Sequence, residues 1–289
     1  MNKVLVTGGS GFLGRRVIKT LESQDITCAA LDNVEPRCGA DPNFSAINVD
    51  ITDFHQLENI IVGVGFDTII HLAAYGRNLS CQDFAERAYE VNVTGTYNVL
   101  EIARQHPDIV KRVVVCSSNI ALSDVPTIYR MTKNLTEALV REYAALGVSC
   151  MGLRPSNICG VGQSRTEYQQ CAMAMMDVRY ERDGFITIEG DGSASRDFVN
   201  VKDVARAFLL AAGSELIGET LDVCTGKLTS VMEVVKMVGV PFKHVEPRKG
   251  DAKTLVSDPN PAWFKLGFSA EIGIEQTVRE SFPFALKHE

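Results

Sequence analysis

The sequence predicts an α/β fold: a doubly wound parallel sheet with a small C-terminal α/β substrate lobe. Three observations carry this. The chain opens on an apolar strand, Lys3-Val4-Leu5-Val6-Thr7, that runs at once into a glycine-punctuated turn, Gly8-Gly9-Ser10-Gly11-Phe12-Leu13-Gly14. Short apolar runs then alternate with helical patterns as far as residue 155, the rhythm of parallel strands joined by crossover helices. Beyond that point the alternation becomes irregular. Residues 1–155 therefore read as a dinucleotide-binding domain of Rossmann type, completed by parts of about 190–225, and 156–289 as a substrate-binding lobe interleaved with it.

The opening turn has a physical purpose. Gly8, Gly11 and Gly14 permit a tight turn and a close backbone approach to a pyrophosphate. The helix that starts near Phe12 and Leu13 presents unpaired N–H groups to the same anion. Glycine-rich turns are common, so context decides the reading. A helix with the apolar stripe Leu13, Val17 and Leu21 follows, and then a second strand, Ile26 to Leu31, that ends at Asp32. A carboxylate at this place accepts hydrogen bonds from both adenosine ribose hydroxyls and repels a 2′-phosphate, which selects NAD over NADP. Arg37, five residues on, softens that preference in principle.

Composition bounds the function. A chain of 289 residues with 45% apolar and 22% charged residues is ordinary for a globular protein with a large core. No apolar run reaches the length of a membrane span, and Met1-Asn2-Lys3 leads directly into the first strand. We therefore expect a cytoplasmic protein with no membrane partner. The eight cysteines (28, 38, 81, 116, 150, 159, 171 and 224) form no C-x-x-C pair and no metal-like cluster, so they read as reduced thiols and no metal site is expected. A net charge of −7 argues against a nucleic-acid surface, yet leaves room for an anionic small molecule held by one or two arginines.

Phe44 to Val49 reads as a third strand ending at Asp50-Ile51, and a helix from about Asp53 to Ile61 follows with Thr52 or Asp53 as its cap. The fourth strand, Phe66 to Ala74, ends in small side chains that leave space where open sheets place their ligands. His71 within it reads as a packed, hydrogen-bonded histidine. The spacing of Phe84, Ala88, Val91, Gly95, Val99 and Ile102 predicts a long helix from about Asp83 to Gln105, with Asn92 beside its apolar stripe in a structural or water-holding place.

A fifth strand, Arg112 to Cys116, ends in Ser117-Ser118. Tyr129 follows eleven residues later, with Lys133 at i+4 near the start of a helix that runs to about Leu146. An i, i+4 pair shares one helix face, so the ammonium sits near the phenol. Tyrosine ordinarily ionises at about pH 10, and a neighbouring cation brings its phenolate towards use as a base. The Ser118 hydroxyl can bond the same substrate oxygen.

At this point the chain resembles the extended short-chain dehydrogenase/reductase family, in its nucleotide-sugar epimerase and dehydratase branch. The residues that carry the resemblance are Thr7 to Gly14, Leu31-Asp32-Asn33, His71-Leu72-Ala73-Ala74, Asn92 to Thr96, Ser117-Ser118, and Tyr129 with Lys133. The opening and Leu-Asp-Asn look most like UDP-galactose 4-epimerases. Further on, Gly190-Asp191-Gly192 with Arg196-Asp197-Phe198, the turn Arg248-Lys249-Gly250-Asp251, and the tail from Asp258-Pro259 through Leu266-Gly267-Phe268 match segments of the same family. The resemblance implies that Asp50 and Ile51 flank the adenine, that Leu72, Ala73 and Ala74 line the cofactor, and that Lys133 also holds the nicotinamide ribose. Asn33, Asn92, Tyr129 and Pro155 complete the implied NAD set. Asn157, Arg196 and Arg248 would bind a nucleotide-sugar diphosphate and Asp251 its ribose. Guanidinium forks suit such a diphosphate in an acidic protein.

Two departures narrow the reaction. Ser118 is followed by Asn119-Ile120, where the similar 4,6-dehydratases carry an Asp-Glu pair, so the acid and base of water elimination are missing. The stretch from Ser118 to Tyr129 is much shorter than is usual in the family, which implies a more open sugar site. The resulting expectation is an NAD-dependent nucleotide-sugar 4-epimerase that oxidises C4 transiently with Tyr129, Ser118 and Lys133, a UDP-sugar being favoured. An NAD-dependent dehydrogenase or reductase on the same fold, and a non-catalytic NAD-sensing regulator, remain as alternatives. Leu135, Leu139, Tyr143 and Leu146 extend the apolar surface of the second long helix beyond one stripe, which points to a homodimer through paired helices.

Overall fold

A computed structural model describes residues 1–33, 45–76, 78–163, 172–246 and 254–286. The first half runs β1 (Lys3–Thr7), α1 (Phe12–Glu22), β2 (Thr27–Asp32), β3 (Ile47–Asn48), α2 (Phe54–Val64), β4 (Thr68–His71), α3 (Asn78–Asp83), α4 (Ala85–Tyr89), a π-type turn (Glu90–Thr94), α5 (Gly95–Gln105), β5 (Arg112–Cys116), a 3₁₀ turn (Asn119–Leu122) and α6 (Ile128–Ala145). The second half begins with β6 (Cys150–Pro155), β7 (Asn157–Cys159), α7 (Ala172–Asp183), β8 (Ile186–Glu189), β9 (Ser195–Arg196), β10 (Phe198–Asn200) and α8 (Val201–Ala212). It ends with β11 (Thr220–Val223), β12 (Thr229–Ser230), α9 (Val231–Val238), β13 (Phe242–Val245), α10 (Asn260–Leu266) and α11 (Ile274–Ser281).

Seven of these strands form one parallel sheet in the order β11-β6-β5-β4-β1-β2-β3. The chain winds outward from β1 in both directions, the Rossmann-type doubly wound arrangement, and the order reverses between β1 and β4. In open α/β sheets the carboxyl edge at such a reversal is where ligands bind. Alternation along each strand feeds two cores. Val4, Val6, Ile70, Val114 and Leu153 face α1 and α8, whereas Leu5, Ile69, Val113 and Val115 face α2, α5 and α6. Each fully buried side chain of this kind contributes ~1.5–3 kcal/mol, so the sheet is a rigid base for whatever its edge carries.

A third apolar cluster gathers Met173, Met176, Ile186, Ile188, Phe198, Val234, Val235 and Phe282 around the short pairs β8·β13 and β7·β10. The same stretch of chain also sends α8, β11 and α10 back to the main sheet and its core. Met173 and Met176 are thus packing residues. Among the described residues no helix is long and apolar enough to cross a membrane.

The elements differ from the sequence expectation in a few places. Within the described residues the third strand is only Ile47–Asn48, and Phe44 lies outside them. The fourth ends at His71 because the chain then folds over the end of β1, where Thr7 takes the next two N–H groups: Leu72 N donates to its carbonyl at 3.1 Å and Ala73 N to its hydroxyl at 3.3 Å. The long helix expected over 83–105 begins after Phe84, whose backbone leaves helical values, and it carries a π-type turn in its middle. Asp53 caps α2 by accepting from Gln56 N at 3.0 Å. Tyr143, expected on an outward face, is buried and donates to Glu101 on α5 at 2.9 Å, so it belongs to the core of its own chain.

Candidate active site

The carboxyl edge of the sheet is built first by β1. Gly8 has φ +67°, and a side chain there would lie 2.7 Å from Ala73 N; one at Gly14 would collide with the Gly8 carbonyl. Gly11 N donates to that same carbonyl at 3.0 Å and starts α1 with no side-chain cap. The first-turn N–H groups at Phe12, Leu13 and Gly14 have no partners inside the helix, and no acidic side chain stands in that turn. The hydroxyl of Ser10, itself buried, also has no hydrogen-bond partner. A glycine-walled hollow with unpaired donors on one side fits the pyrophosphate of NAD.

At the next strand end, Asp32 accepts from Ser10 N at 3.0 Å, which ties the carboxylate to the glycine turn. Asn33 donates to Asp50 at 2.9 Å. Asp50 is further held by the backbone and hydroxyl of Thr52 and by Arg87 from α4. Burial alone would raise its pKa, but these partners overcome it and hold the carboxyl down at about 2. Ile51 points into the core beneath Gly95. Leu72, Ala73 and Ala74 follow β4 beside Gly8, with Ala74 exposed.

At β4 a chain of hydrogen bonds settles the state of His71. Thr96 Oγ1 gives its one proton to Asn92 O at 2.6 Å, so at 3.2 Å it must accept from His71 Nε2. The ring nitrogen Nδ1 then accepts from Thr7 Oγ1 at 2.7 Å. Burial, with the Lys133 ammonium adding to it, pushes the His71 pKa down to about 3. The histidine is a neutral, fully engaged packing group. Asn92 is likewise occupied, accepting from Tyr75 N at 2.7 Å and donating to Tyr75 O and Thr132 Oγ1, each at 3.0 Å. It fastens the segment after β4 to α6.

The start of α6 carries Tyr129 and Lys133 to the end of β5, just ahead of Ser118 in the chain. Thr127 caps α6, accepting from Arg130 N at 3.1 Å, and so fixes where Tyr129 leaves the helix. Lys133 lies one turn on, with Nζ 5.8 Å from the Tyr129 ring centre and donating to Cys116 O at 2.8 Å. It is 3% exposed, and burial lowers its pKa. Ser118 follows Cys116 by two residues, and its Oγ accepts from Ile120 N at 3.3 Å. That leaves the Ser118 proton to be given elsewhere.

On the far side, Pro155 is buried at the end of β6, opposite Val223. Asn157 in β7 donates its backbone N–H to Asp197 O at 3.0 Å, while its side-chain nitrogen is buried without a partner. Arg196 sits in β9, next to Asp197, whose carboxylate pins Thr225 and Gly226. Arg248 and Asp251 lie outside the described residues. The four buried side-chain atoms without partners among the described residues are Ser10 Oγ, Asn119 Nδ2, Arg130 Nε and Asn157 Nδ2. All belong to segments just past β1, β5 and β6 or to the first turn of α6. Unmet polar capacity is concentrated at one edge of the sheet.

Sequence reasoning missed several members of this edge. Arg87 on Asp50, Thr7 and Thr96 on His71, and Glu137 with Arg154 and Asp222 become visible only once the strands are side by side. Glu137 alone had a local signal, standing at i+4 from Lys133.

The chain is similar to known proteins in sequence and in fold. The profile of the family described as "NAD dependent epimerase/dehydratase family" matches residues 4–224. The UDP-glucose 4-epimerase 2 of Oryza sativa subsp. japonica is 26% identical, over 99% of this chain and 82% of its own. Among solved structures, the UDP-glucose 4-epimerase of Thermotoga maritima with UDP-glucose superposes with a TM-score of 0.88 at 26% identity, covering 98% of both chains. The UDP-glucose 4-epimerase of Thermus thermophilus in complex with NAD gives 0.86 at 25% identity, covering 99% of this chain and 100% of that one.

Proposed function

Because the chain belongs to the NAD dependent epimerase/dehydratase family, we propose that it is a nucleotide-sugar 4-epimerase acting on a UDP-hexose. It is an NAD-dependent enzyme of the short-chain dehydrogenase/reductase type. The observation that carries the finer reading is Lys133, 5.8 Å from the Tyr129 ring and held on the carbonyl of Cys116, which ends β5 two residues before Ser118 and two strands from the glycine turn of β1. The relatives named for UDP-glucose support the nucleotide and sugar class.

Gly8, Gly11 and Gly14, with the unpaired N–H groups of the first turn of α1, would hold NAD, which when bound would supply reversible hydride acceptance from C4 of the sugar. Tyr129 takes the proton of the 4-hydroxyl at its phenolic oxygen and later gives it back. Ser118 donates its remaining hydrogen bond to the same sugar oxygen. The Lys133 ammonium stabilises negative charge on the Tyr129 oxygen. His71 stands nearby but exchanges no proton, since both ring nitrogens are engaged by threonines. Water elimination is disfavoured because Asn119 and Ile120, not an acid and a base, follow Ser118.

Asp32 would hold the adenosine ribose, and Asn33, Asp50 and the backbone of Ile51, whose side chain is in the core, would border the adenine. Asn157 and Arg196, with Arg248 and Asp251, would receive the diphosphate and ribose of the sugar nucleotide. The unpartnered Asn157 amide supports its assignment. Pairing of two chains through α5 and α6 is supported by the exposure of Tyr97, Leu135 and Leu146. The six described cysteines are free thiols, which suits a cytoplasmic setting.

The test is Tyr129→Phe. It should keep NAD affinity and lose at least about a hundredfold in turnover of UDP-glucose; unchanged turnover would remove the tyrosine from the mechanism.

A further inference from the structure

We propose that Glu137 is a positioning residue for this site: with Arg154 and Asp222 it forms a buried ionic clamp that fixes the end of β5 and keeps a negative charge behind Lys133. The inference rests on the reading of Ser118, Tyr129 and Lys133 as the reacting residues.

The clamp joins four elements. Arg154 on β6 reaches both oxygens of Glu137 on α6, with Nε at 2.9 Å and Nη2 at 2.8 Å. Its third nitrogen, Nη1, donates to Asp222 on β11. Ser117, at the end of β5, donates its hydroxyl to Glu137 Oε1. Asp222 in turn accepts from Asp258 N at 2.9 Å, in the segment that leads to α10. All three charged side chains are largely buried. Burial works against the Arg154 charge, but the hydrogen bonds it donates to Glu137 and Asp222 prevail and its pKa is raised.

Direction and charge give the clamp a role beyond stability. A buried ion pair is a poor way to stabilise a fold, because desolvation offsets most of the attraction and a well-packed apolar set of the same volume does as well. What it does supply is fixed direction. Ser117 stands between Cys116, whose carbonyl holds Lys133, and Ser118, the serine read above as bonding the sugar oxygen. Holding Ser117 therefore holds both neighbours.

Charge acts in the same place. Two carboxylates and one guanidinium leave the clamp with one net negative charge, and Glu137 is one helical turn from Lys133 on the same face. The other groups acting on the ammonium are Cys116 from β5, Cys81 from α3, His71 from β4 and Tyr129 from α6 itself. Burial raises both thiols and leaves them protonated, and His71 is neutral. Glu137 is thus the nearby carboxylate that favours the Lys133 ammonium while burial disfavours it.

The experiment compares NAD-loaded wild type, Glu137→Gln and Glu137→Asp on UDP-glucose from pH 6 to 10, and follows the Lys133 side-chain signal by NMR across the same range. In Glu137→Gln, kcat at pH 7 should fall about tenfold with KM within about twofold. The alkaline limb of kcat and the Lys133 titration should both move about 0.5 pH or more lower, since the ammonium has lost its supporting charge. Glu137→Asp should restore the wild-type limb. Should Glu137→Gln fail to fold, Asp222→Asn removes a charge from the outer end of the clamp and should shift the limb the same way by less. A lowered kcat with an unmoved limb and an unmoved Lys133 titration overturns the proposal alone. A wild type without turnover on any nucleotide sugar overturns the functional reading, and this inference with it.

Discussion

Lys133 Nζ donates a 2.8 Å hydrogen bond to the carbonyl oxygen of Cys116, which pins an ammonium on α6 to the last residue of β5. The consequence is positional. The register Thr7↔His71↔Val115 sets the ends of β1, β4 and β5 side by side, so the lysine is referred to the strand frame that also carries the glycine turn. A mobile loop could not hold cofactor and base to a fixed separation in this way.

Removing that ammonium should therefore stop the chemistry without unmaking the fold. Lys133→Met is expected to lower kcat by at least about a hundredfold and to leave far-ultraviolet circular dichroism unchanged. Steady-state turnover of UDP-glucose checks it; retention of more than about a tenth of wild-type activity contradicts the role given to Lys133.

The hollow at the start of α1 should tolerate no side chain. Gly14→Ala puts a methyl group against the Gly8 carbonyl, and the turn must open to admit it. Overpacking of this kind costs ~1–3 kcal/mol, and here it falls on the pyrophosphate site. NAD affinity measured by calorimetry should drop about tenfold or more, whereas Gly63→Ala, on α2 with open space around it, should leave it unchanged.

His71 gives a pH signature. It titrates at about 3 in the folded chain and at about 6.5 when unfolded. Between those values the unfolded state binds the extra proton. Stability should therefore rise with pH across this window at up to about 1.4 kcal/mol per pH unit, be complete above about 6.5 and be lost by about 3. Urea unfolding at a series of pH values, wild type minus His71→Gln, isolates this slope. A flat difference would mean that the histidine is not buried neutral.

How much of this could be read from the chain follows from distance along it. Gly8 to Gly14, the Asp32 strand end and the Tyr129–Lys133 pair are local patterns, where backbone freedom or one helical turn decides the geometry. Arg87 and Asp50 are 37 residues apart, and Arg154 and Asp222 are 68 apart, so their meeting depends on strand order, which no short pattern encodes. The sequence places Asn92 near the sheet, but the π-type turn that carries it is tied by bonds to Tyr75 and Thr132 on other segments. Tyr143 misleads because an apolar ring with a polar tip reads the same whether it meets a partner chain or, as here, its own Glu101.

Assembly gives a further prediction. Leu146 and Leu135 on the α6 side are 66% and 37% exposed, and Tyr97 on α5 is also exposed. The wild type should run at twice the 31.6 kDa of one chain by light scattering at micromolar concentration, and Leu135→Glu should shift it to the monomer mass. A monomeric wild type contradicts the paired-helix arrangement.

The most direct test of the central claim is to incubate the NAD-loaded protein with UDP-glucose and to follow NADH absorbance while identifying the sugar by NMR. A C4-inverted UDP-hexose should accumulate to equilibrium with no net NADH. NADH released in step with an oxidised sugar, or bound NAD with no inverted product from UDP-glucose, would contradict it.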